Sequence, residues 1–445
     1  MEELFFSTTD LKGRIHKANR VFERVAAWTW EELKNKPHNI IRHPDMPRIV
    51  FRTLWDYIQS GRHIVAYVKN LAHDGRYYWV MAMVSPIPDG YLSVRFKPTS
   101  PLRETVEQLY AELRAAEAAI EEESNDRKAA MDASAKLLES SLRRLGFGSY
   151  DDFMRHAMKV EMLSREEKLP SAPPADLGTA GHDATAAAAL LFDRLVAVLR
   201  ELCRDLDLYT DLSGRVREKS AIVADVSESL RVSALNGAIE ADRLGARAAG
   251  LRPVLDWLRG LSAEITHQGR QFSSSLNDLA GEVDQVVFDL ACAKLQAEIT
   301  AFFAHELAVH AVSKPGDAAD CMTDGAIAEL HSSSCATLNR AVGRLASVRS
   351  RLAALSATQM QLIQSSHSLR PVYLTGRIEM AEGVGAGLSS VFRDVGGQMD
   401  ATSASLEGLG KLLRDLDGHM ARGLSHAEDV KGTIADIDSR IGTIY

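Results

Sequence analysis

The stretch that decides the fold of the N-terminal region is His63–Val84, HIVAYVKNLAHDGRYYWVMAMV. His63–Leu71 and Tyr77–Val84 are both rich in β-branched and aromatic residues, and His73-Asp-Gly75 lies between them. Asp-Gly between two β-prone runs is a hairpin signal, because the turn needs backbone with positive φ. Downstream, Pro88-Asp-Gly90 opens a further strand, Tyr91–Lys97. Upstream, Phe5–Thr8 and Arg14–Lys17 flank Asp10-Leu-Lys-Gly13, a tight turn with glycine at a left-handed position. The expected order is strand, strand, short helices, three antiparallel strands. The whole is an α+β domain built on a five-stranded antiparallel sheet over residues 1–98.

Beyond Pro98 the character changes. Four of the five tryptophans, Trp28, Trp30, Trp55 and Trp79, lie before it, and only Trp257 after it. Pro101 suits a helix start. Leu102–Leu145 reads as one continuous helix, with the acidic run Glu121–Glu123 as a solvated face, and Tyr150–Lys168 as a short helix after Gly146-Phe-Gly148. Together residues 99–168 make a helical connector. Pro170-Ser-Ala-Pro-Pro174 sits in a helix-incompatible linker over 169–182.

From residue 183 to 445 the apolar residues step alternately by three and four. Phe272, Leu276, Leu279, Val283, Val286 and Leu290 do so, as do Leu345, Val348, Leu352 and Leu355. Leu406, Leu409, Leu413, Leu416 and Met420 continue the pattern, followed by Ile434, Ile437, Ile441 and Ile444. This is the seam of a coiled-coil bundle. Leu235-Asn-Gly-Ala-Ile-Glu-Ala241 is echoed by Leu374-Thr-Gly-Arg-Ile-Glu-Met380. Each copy precedes a glycine-containing break, Gly245–Gly250 and Gly383–Gly387, and then Ala-Gly-Leu. A third break, Ser313–Asp317, lies between them. The four arms, 183–244, 251–312, 318–382 and 388–445, are each about 60 residues, or about 90 Å of helix. Equal arms predict an all-α antiparallel four-helix coiled-coil bundle in one chain, made of two tandem hairpins, 183–312 and 318–445, with both glycine breaks at one end.

The composition fits this division and excludes several classes. The chain has 445 residues, 46% hydrophobic and 25% charged, with aromatics at 6% and a net charge of −8. A nucleic-acid footprint is not expected from that charge. Cys203, Cys292, Cys321 and Cys335 form no CxxC pair, which fits a reducing compartment rather than a disulfide scaffold or thiolate zinc site. No signal peptide and no membrane-length apolar run is read, so a soluble, cytoplasmic protein is expected. His305-Glu306 and His310 (HELAVH) miss the spacing of a zinc-protease motif, because five residues turn the histidines about 140° apart on a helix. With no nucleotide-loop or nucleophile-elbow pattern, no enzyme activity is assigned.

Several strings carry more specific information: FFSTTDLKGRI, KANRVF, KPHNIIRHPDMPRIVF, LWDYIQSGR, YVKNLAHDGRYYWV and YLSVRFKPTS. In them the first 98 residues resemble the PAS sensor domain of bacterial aerotaxis receptors, energy-taxis proteins that carry FAD. The resemblance implies a buried, non-covalent flavin whose redox state is the signal, with Asn19, Arg42, His43, Asp45 and Trp55 in the flavin-pocket region. Arg42 and His43 suit an anionic pyrophosphate, Trp55 a flat apolar ring, and Asn19 the ring edge. On composition alone RHPDMP is also a capped turn, with Asp45 as cap, Pro47 in the first helical turn and Arg42 in a surface ion pair. One departure stands out: Gly61-Arg62 is followed by His63-Ile64, where the family usually has Pro-Trp, so the pocket lacks one aromatic wall.

Val232–Ser262 is similar to the signalling tip of methyl-accepting chemotaxis receptors, which binds the chemotaxis histidine kinase and its coupling protein. Asn236, Glu240, Arg243, Gly245 and Gly250 match the pattern. Beyond Gly245 the sequence, Ala246-Arg-Ala-Ala-Gly-Leu-Arg-Pro-Val-Leu255, departs from it, and Pro253 replaces a small apolar residue. No membrane-spanning pair, HAMP module or methylation-site pair is read. The resemblance implies a soluble redox or oxygen sensor whose PAS input is relayed through helices to a receptor-like bundle, with the kinase and coupling protein as partners. Other receptors, and a second copy of the chain through the PAS domain or connector helix, are further partner candidates. The alternative is a non-catalytic scaffold with a cofactor-free PAS domain.

Overall fold

A computed structural model describes residues 4–168, 184–313, 325–380 and 386–444. The sequence-read linker 169–182 and the Ser313–Asp317 break from residue 314 onward lie outside these residues, as do most of the second glycine break and Cys321. The strands are β1 (Phe5–Asp10), β2 (Ile15–Ala18), β3 (Ile64–Leu71), β4 (Tyr77–Ile87) and β5 (Gly90–Phe96). Between β2 and β3 lie α1 (Arg20–Ala26), α2 (Trp30–Leu33), a 3-10 turn at His38–Ile41 and α3 (Arg48–Gln59). The five strands form one antiparallel sheet in the order β2-β1-β5-β4-β3.

Local chemistry sets the turns. At the β1–β2 corner Asp10 Oδ1 accepts from the amides of Lys12 and Arg14, each at 2.8 Å, and Gly13 takes φ +76°. At the β3–β4 corner Ala72 N donates to Arg76 O at 2.7 Å and Gly75 takes φ +85°. Gly90 has a different reason to be glycine: a Cβ there would overlap the carbonyl of Thr9, so only glycine lets β1 pair with β5. All seven residues of β5 are buried, so this central strand is covered on both faces.

The helices that follow are α4 (Leu102–Ser124), α5 (Arg127–Arg144), α6 (Tyr150–Lys168), α7 (Ala184–Cys203), α8 (Leu206–Leu244), α9 (Arg252–Ser313), α10 (Ala326–Met380) and α11 (Ala386–Ile444). The expected continuous helix over Leu102–Leu145 is therefore two. Asn125 adopts φ +53° and ends α4, while Asp126 accepts from the amides of Lys128 and Ala129 and starts α5. Three consecutive glutamates at the negative end of a helix dipole also favour a stop there. The chain reverses, and Glu117 meets Ser134 while Glu112 meets Arg144. The first bundle arm is likewise interrupted, at Arg204-Asp205 between α7 and α8.

The described residues fall into two compact units, one within Met1–Cys203, Val287–Ala341 and His426–Tyr445, the other Arg204–Val286 and Val342–Ser425. In the first, helices cover the outer sheet face. Tyr67 Oη donates to Glu161 of α6 at 2.8 Å, Trp79 lies against Tyr110 of α4, and the Phe6 ring meets Phe303 of α9 edge-on at 5.0 Å. Gln296 of α9 donates to Ser85 on β4 at 3.1 Å. Two carboxylates from outside the PAS domain cap its helices. Glu117 accepts from the amides of Arg48 and Ile49 at the start of α3, and Glu306 accepts from the amide of Arg20 at the start of α1.

The second unit is an antiparallel four-helix bundle. α8 runs against α9 (Ser220 with Ser273, Thr266 with Ser227) and against α11 (Ser233 with Gln398). α10 runs against α11 (Gln359 with the Leu406 carbonyl) and against α9 (Arg351 with Glu282). Each helix is antiparallel to both neighbours, an up-down-up-down arrangement. The steps at Phe272–Val286, Leu345–Leu355 and Leu406–Met420 are buried as seam positions, and Leu290 is buried within the first unit. In the last turns of α11, which belong to the first unit, Val430, Thr433 and Ile437 are buried and Ile434 is one position off them. The two LxGxIE repeats lie at one end: Gly250 faces Glu379, and Gly387 faces Glu240. Their glycines are where helices approach closely. A Cβ on Gly237 would come to 3.0 Å from Val391 and 3.1 Å from Leu255, and one on Gly376 would overlap the Phe392 ring. Gly376→Ala should therefore destabilise the bundle by about 1–3 kcal/mol, as overpacking does, and Gly237→Ala by less. Urea unfolding followed by circular dichroism checks this, and Phe392→Leu should offset most of the Gly376→Ala loss.

Candidate functional site

The inner face of the PAS sheet and α3 enclose a cavity of about 250 Å³. α3 contributes Phe51, Leu54, Trp55 and Ile58, one helical stripe by spacing. The sheet contributes alternate residues: Thr9 from β1, Val68 and Asn70 from β3, Ala82 and Val84 from β4, and Tyr91, Ser93 and Arg95 from β5. Trp55 meets Tyr91 edge-on at 5.6 Å, and its indole rests against Gly13, where a Cβ would stand at 3.1 Å.

The electrostatics of this wall are one-signed. Lys12, Arg42 and Arg95 line it, and no carboxylate does so among the described residues. Arg42 donates to the Met46 carbonyl at 2.9 Å and lies 4.0 Å over the Phe51 ring, and burial lowers its pKa. Arg95 is 3% exposed. It donates to Ser7 Oγ from both terminal nitrogens at 3.1 Å and to His38 Nε2 at 2.6 Å. Burial brings its pKa down to about 10. His38 is held well below the usual imidazole range by burial and then by Arg95, so it stays neutral and accepts. Asn70 Nδ2 is buried with no hydrogen-bond partner. An apolar, aromatic-walled cavity with cations, an orphaned donor and no anion fits an anionic ligand with a flat ring and acceptor atoms.

Of the residues expected at a flavin pocket, the structure brings Arg42 and Trp55 onto this wall. The other three stand elsewhere. Asn19 caps α1: its Oδ1 accepts from the Phe6 and Phe22 amides, and its Nδ2 donates to the Leu4 carbonyl and to Glu306. His43 Nδ1 accepts from the Asp45 amide, and the ring sits edge-on to Tyr77. Asp45, 62% exposed, accepts from Lys69 at 2.6 Å, which lowers its pKa. Nor does Asp45 cap α3; Pro47 stands at that position and Glu117 supplies the acceptors. Ile64 is fully buried in β3 and is not a wall residue. Arg95, His38 and Asn70 were not singled out from the sequence. The available signal was a charge at the inward phase of β5, where Tyr91 and Ser93 are its inward companions.

The expected partner-binding residues lie at the repeat-bearing end of the second unit. Asn236, Arg243 and Gly250 are exposed, Glu240 and Gly245 are half-buried, and Glu240 pairs with Arg243 at 3.5 Å. Equivalent apolar residues of the two repeats are also exposed: Leu235 and Ile239 in the first, Leu374 and Ile378 in the second. In the HELAVH stretch, His305 bonds to Asp193 at 2.8 Å while Glu306 faces Asn19 and Arg20. The side chain of His310 lies outside the described residues. Among the described residues no helix is long and apolar enough to cross a membrane.

A family model for the PAS fold matches residues 15–94. The aerotaxis receptor of Escherichia coli (strain K12) is 40% identical over 114 residues, which is 24% of this chain. The chain spans 22% of that receptor's length. Among solved structures, the PAS domain of a protein from Colwellia psychrerythraea is 21% identical over 21% of this chain and 85% of its own, with a TM-score of 0.19. The light-state LOV domain of the blue-light photoreceptor Aureochrome1 is 19% identical over 23% of this chain and 87% of its own, with a TM-score of 0.21. The N-terminal domain is thus a PAS domain similar to that of an aerotaxis receptor, which points to a sensory signalling role, and a largely helical region follows it.

Two half-buried histidines make the first unit acid-sensitive. His38 is depressed well below 6.5, and burial takes His63 down to about 3. Both stay neutral when folded and take up a proton when unfolded below about pH 6.5. Their contribution is fully present above that pH and is lost as pH falls, at up to about 1.4 kcal/mol per pH unit for each. Denaturant titrations between pH 7.5 and 5.5 should show this loss, and His38→Gln should flatten the slope by about half. An unchanged slope would mean that His38 is not the titrating group.

Proposed function

We propose that the PAS domain, residues 1–98, is a flavin-binding redox or oxygen sensor of the energy-taxis type. Its state would be relayed through the connector, 99–168, to a receptor-like signalling bundle, 183–445. The observation that carries this reading is the cavity wall: Trp55, Phe51 and Tyr91 beside Lys12, Arg42 and Arg95, with no carboxylate among the described residues. FAD combines a flat ring with an anionic pyrophosphate, and when bound it takes up and releases electrons, so its state follows the redox poise of its surroundings. Arg42 would hold the phosphate end by a charge-assisted contact, and Trp55 would wall the ring. The 40% identity to an aerotaxis receptor supports the same reading. Helices already rest on the back of the sheet at Tyr67, Trp79, Phe6 and Ser85, so a change at the cavity would reach α4, α6 and α9 without a separate linker.

For the output, exposed Asn236, Arg243, Leu235 and Ile239 would meet a chemotaxis histidine kinase or its coupling protein in the cytoplasm. A rival reading, a cofactor-free interaction module, draws on Asn19, His43 and Asp45 standing off the cavity wall. Purified protein separates the two: yellow protein whose visible absorbance is bleached by dithionite supports the sensor, and colourless protein that FAD cannot reconstitute supports the module. Arg42→Ala should weaken FAD by about 1.5–3 kcal/mol with the circular dichroism spectrum unchanged. Full flavin occupancy in that variant would remove Arg42 from the site.

A further inference from the structure

Arg95 is the least explained charge in the first unit. A guanidinium carries five N–H donors. Three bonds to two acceptors, Ser7 and His38, are all that the protein supplies, so two donors lack a protein acceptor. Neither acceptor is charged. Its other neighbours include the Phe5 and Phe22 rings, with centroids at 5.8 and 5.4 Å from the guanidinium carbon, and the neutral Tyr78 phenol, whose buried hydroxyl makes no hydrogen bond to it. A buried cation without a counter-ion lowers stability, and burying an arginine against neutral groups needs some other reason. Arg95 lines the same cavity as Arg42 and Lys12, but it is far more enclosed than either.

We infer that Arg95, backed by neutral His38, is the anchor for the carbonyl edge of a planar heteroaromatic ring in the PAS cavity, whereas Arg42 serves the phosphate end. The division follows from desolvation. A phosphate is costly to bury fully and belongs near the half-buried Arg42 and exposed Lys12. A ring carbonyl is neutral, so moving it to the enclosed guanidinium costs little and supplies the missing acceptor. A charge-assisted bond there is stronger than a neutral one. This assignment rests on the flavin reading and refines it, because it separates ring recognition from phosphate recognition.

The test uses the full-length apo-protein, with riboflavin, which has the ring and no phosphate, and FAD, which has both. Arg95→Gln should weaken riboflavin and FAD by the same factor, about tenfold or more. Arg42→Ala should weaken FAD and leave riboflavin within about twofold. A second readout needs no ligand: Arg95→Gln and Arg95→Met remove an unbalanced charge, so their apo thermal midpoints should equal or exceed that of the wild type. If the wild type binds both flavins and Arg95→Gln binds riboflavin equally well, the anchor assignment is wrong and the flavin reading stands. If the wild type binds neither, both fall. If both Arg95 variants unfold, the residue is structural and the inference is overturned.

Discussion

A sheet whose central strand is buried on both faces cannot end at its own domain boundary. β5 contributes Tyr91, Ser93 and Arg95 to the cavity side and Leu92, Val94 and Phe96 to the other. The second set must be kept from water, and each large apolar side chain so covered contributes about 1.5–3 kcal/mol. The longest helix within residues 1–98, α3, lines the cavity and so lies on the other face. α4, α6 and the Phe303 stretch of α9 supply the cover. The cavity on one face and the helical packing on the other are therefore two requirements of one strand.

The same dependence shows in the carboxylates. Glu117, Glu161 and Glu306 sit on helices outside the PAS domain and accept hydrogen bonds from within it or its exit. Glu161 alone takes Tyr67 Oη, Ser100 Oγ and the amides of Thr99 and Ser100. A helix start has amides with no partner of their own, and an acceptor held by a different helix couples the two elements geometrically. α3 carries Phe51 and Trp55 at the cavity and Arg48 and Ile49 at Glu117. The cavity wall and the connector thus share one helix and its capping hydrogen bonds.

Features that depend on neighbours in the chain were legible. The hairpin at Asp74-Gly75, the turn at Gly13, the helix Tyr150–Lys168 and most of the bundle seam all follow from local spacing and turn chemistry. The reversal at Asn125-Asp126 was not, because alanine- and glutamate-rich sequence lies on both sides and two residues alone mark the stop. Thr433 displaced Ile434 from the seam because phase, not hydrophobicity, decides which residue faces inward. At the cavity, Arg42 and Trp55 were legible through resemblance. Asn19, His43 and Asp45, which the resemblance puts in the pocket region, stand off this wall, where each has hydrogen-bond partners of its own. Arg95 was hidden because its role arises only when β1, β5 and the 3-10 turn come together.

The close approach at Gly90 has a bearing on how the chain acquires its shape during synthesis. β1 pairs with β5 across some eighty intervening residues, from Phe5 with Arg95 to Asp10 with Gly90. On the ribosome β1 therefore has only β2 for company until β5 follows some eighty residues later, and a lone two-stranded ribbon is marginal in water. Contacts this distant in sequence are slow to close. Until β5 arrives, the row of β1 amides and carbonyls that β5 will occupy stays unpaired, an invitation to another nascent chain. A side chain at position 90 would do more than crowd a turn: it would bar the strand that closes the sheet and leave that edge open on the newborn polypeptide.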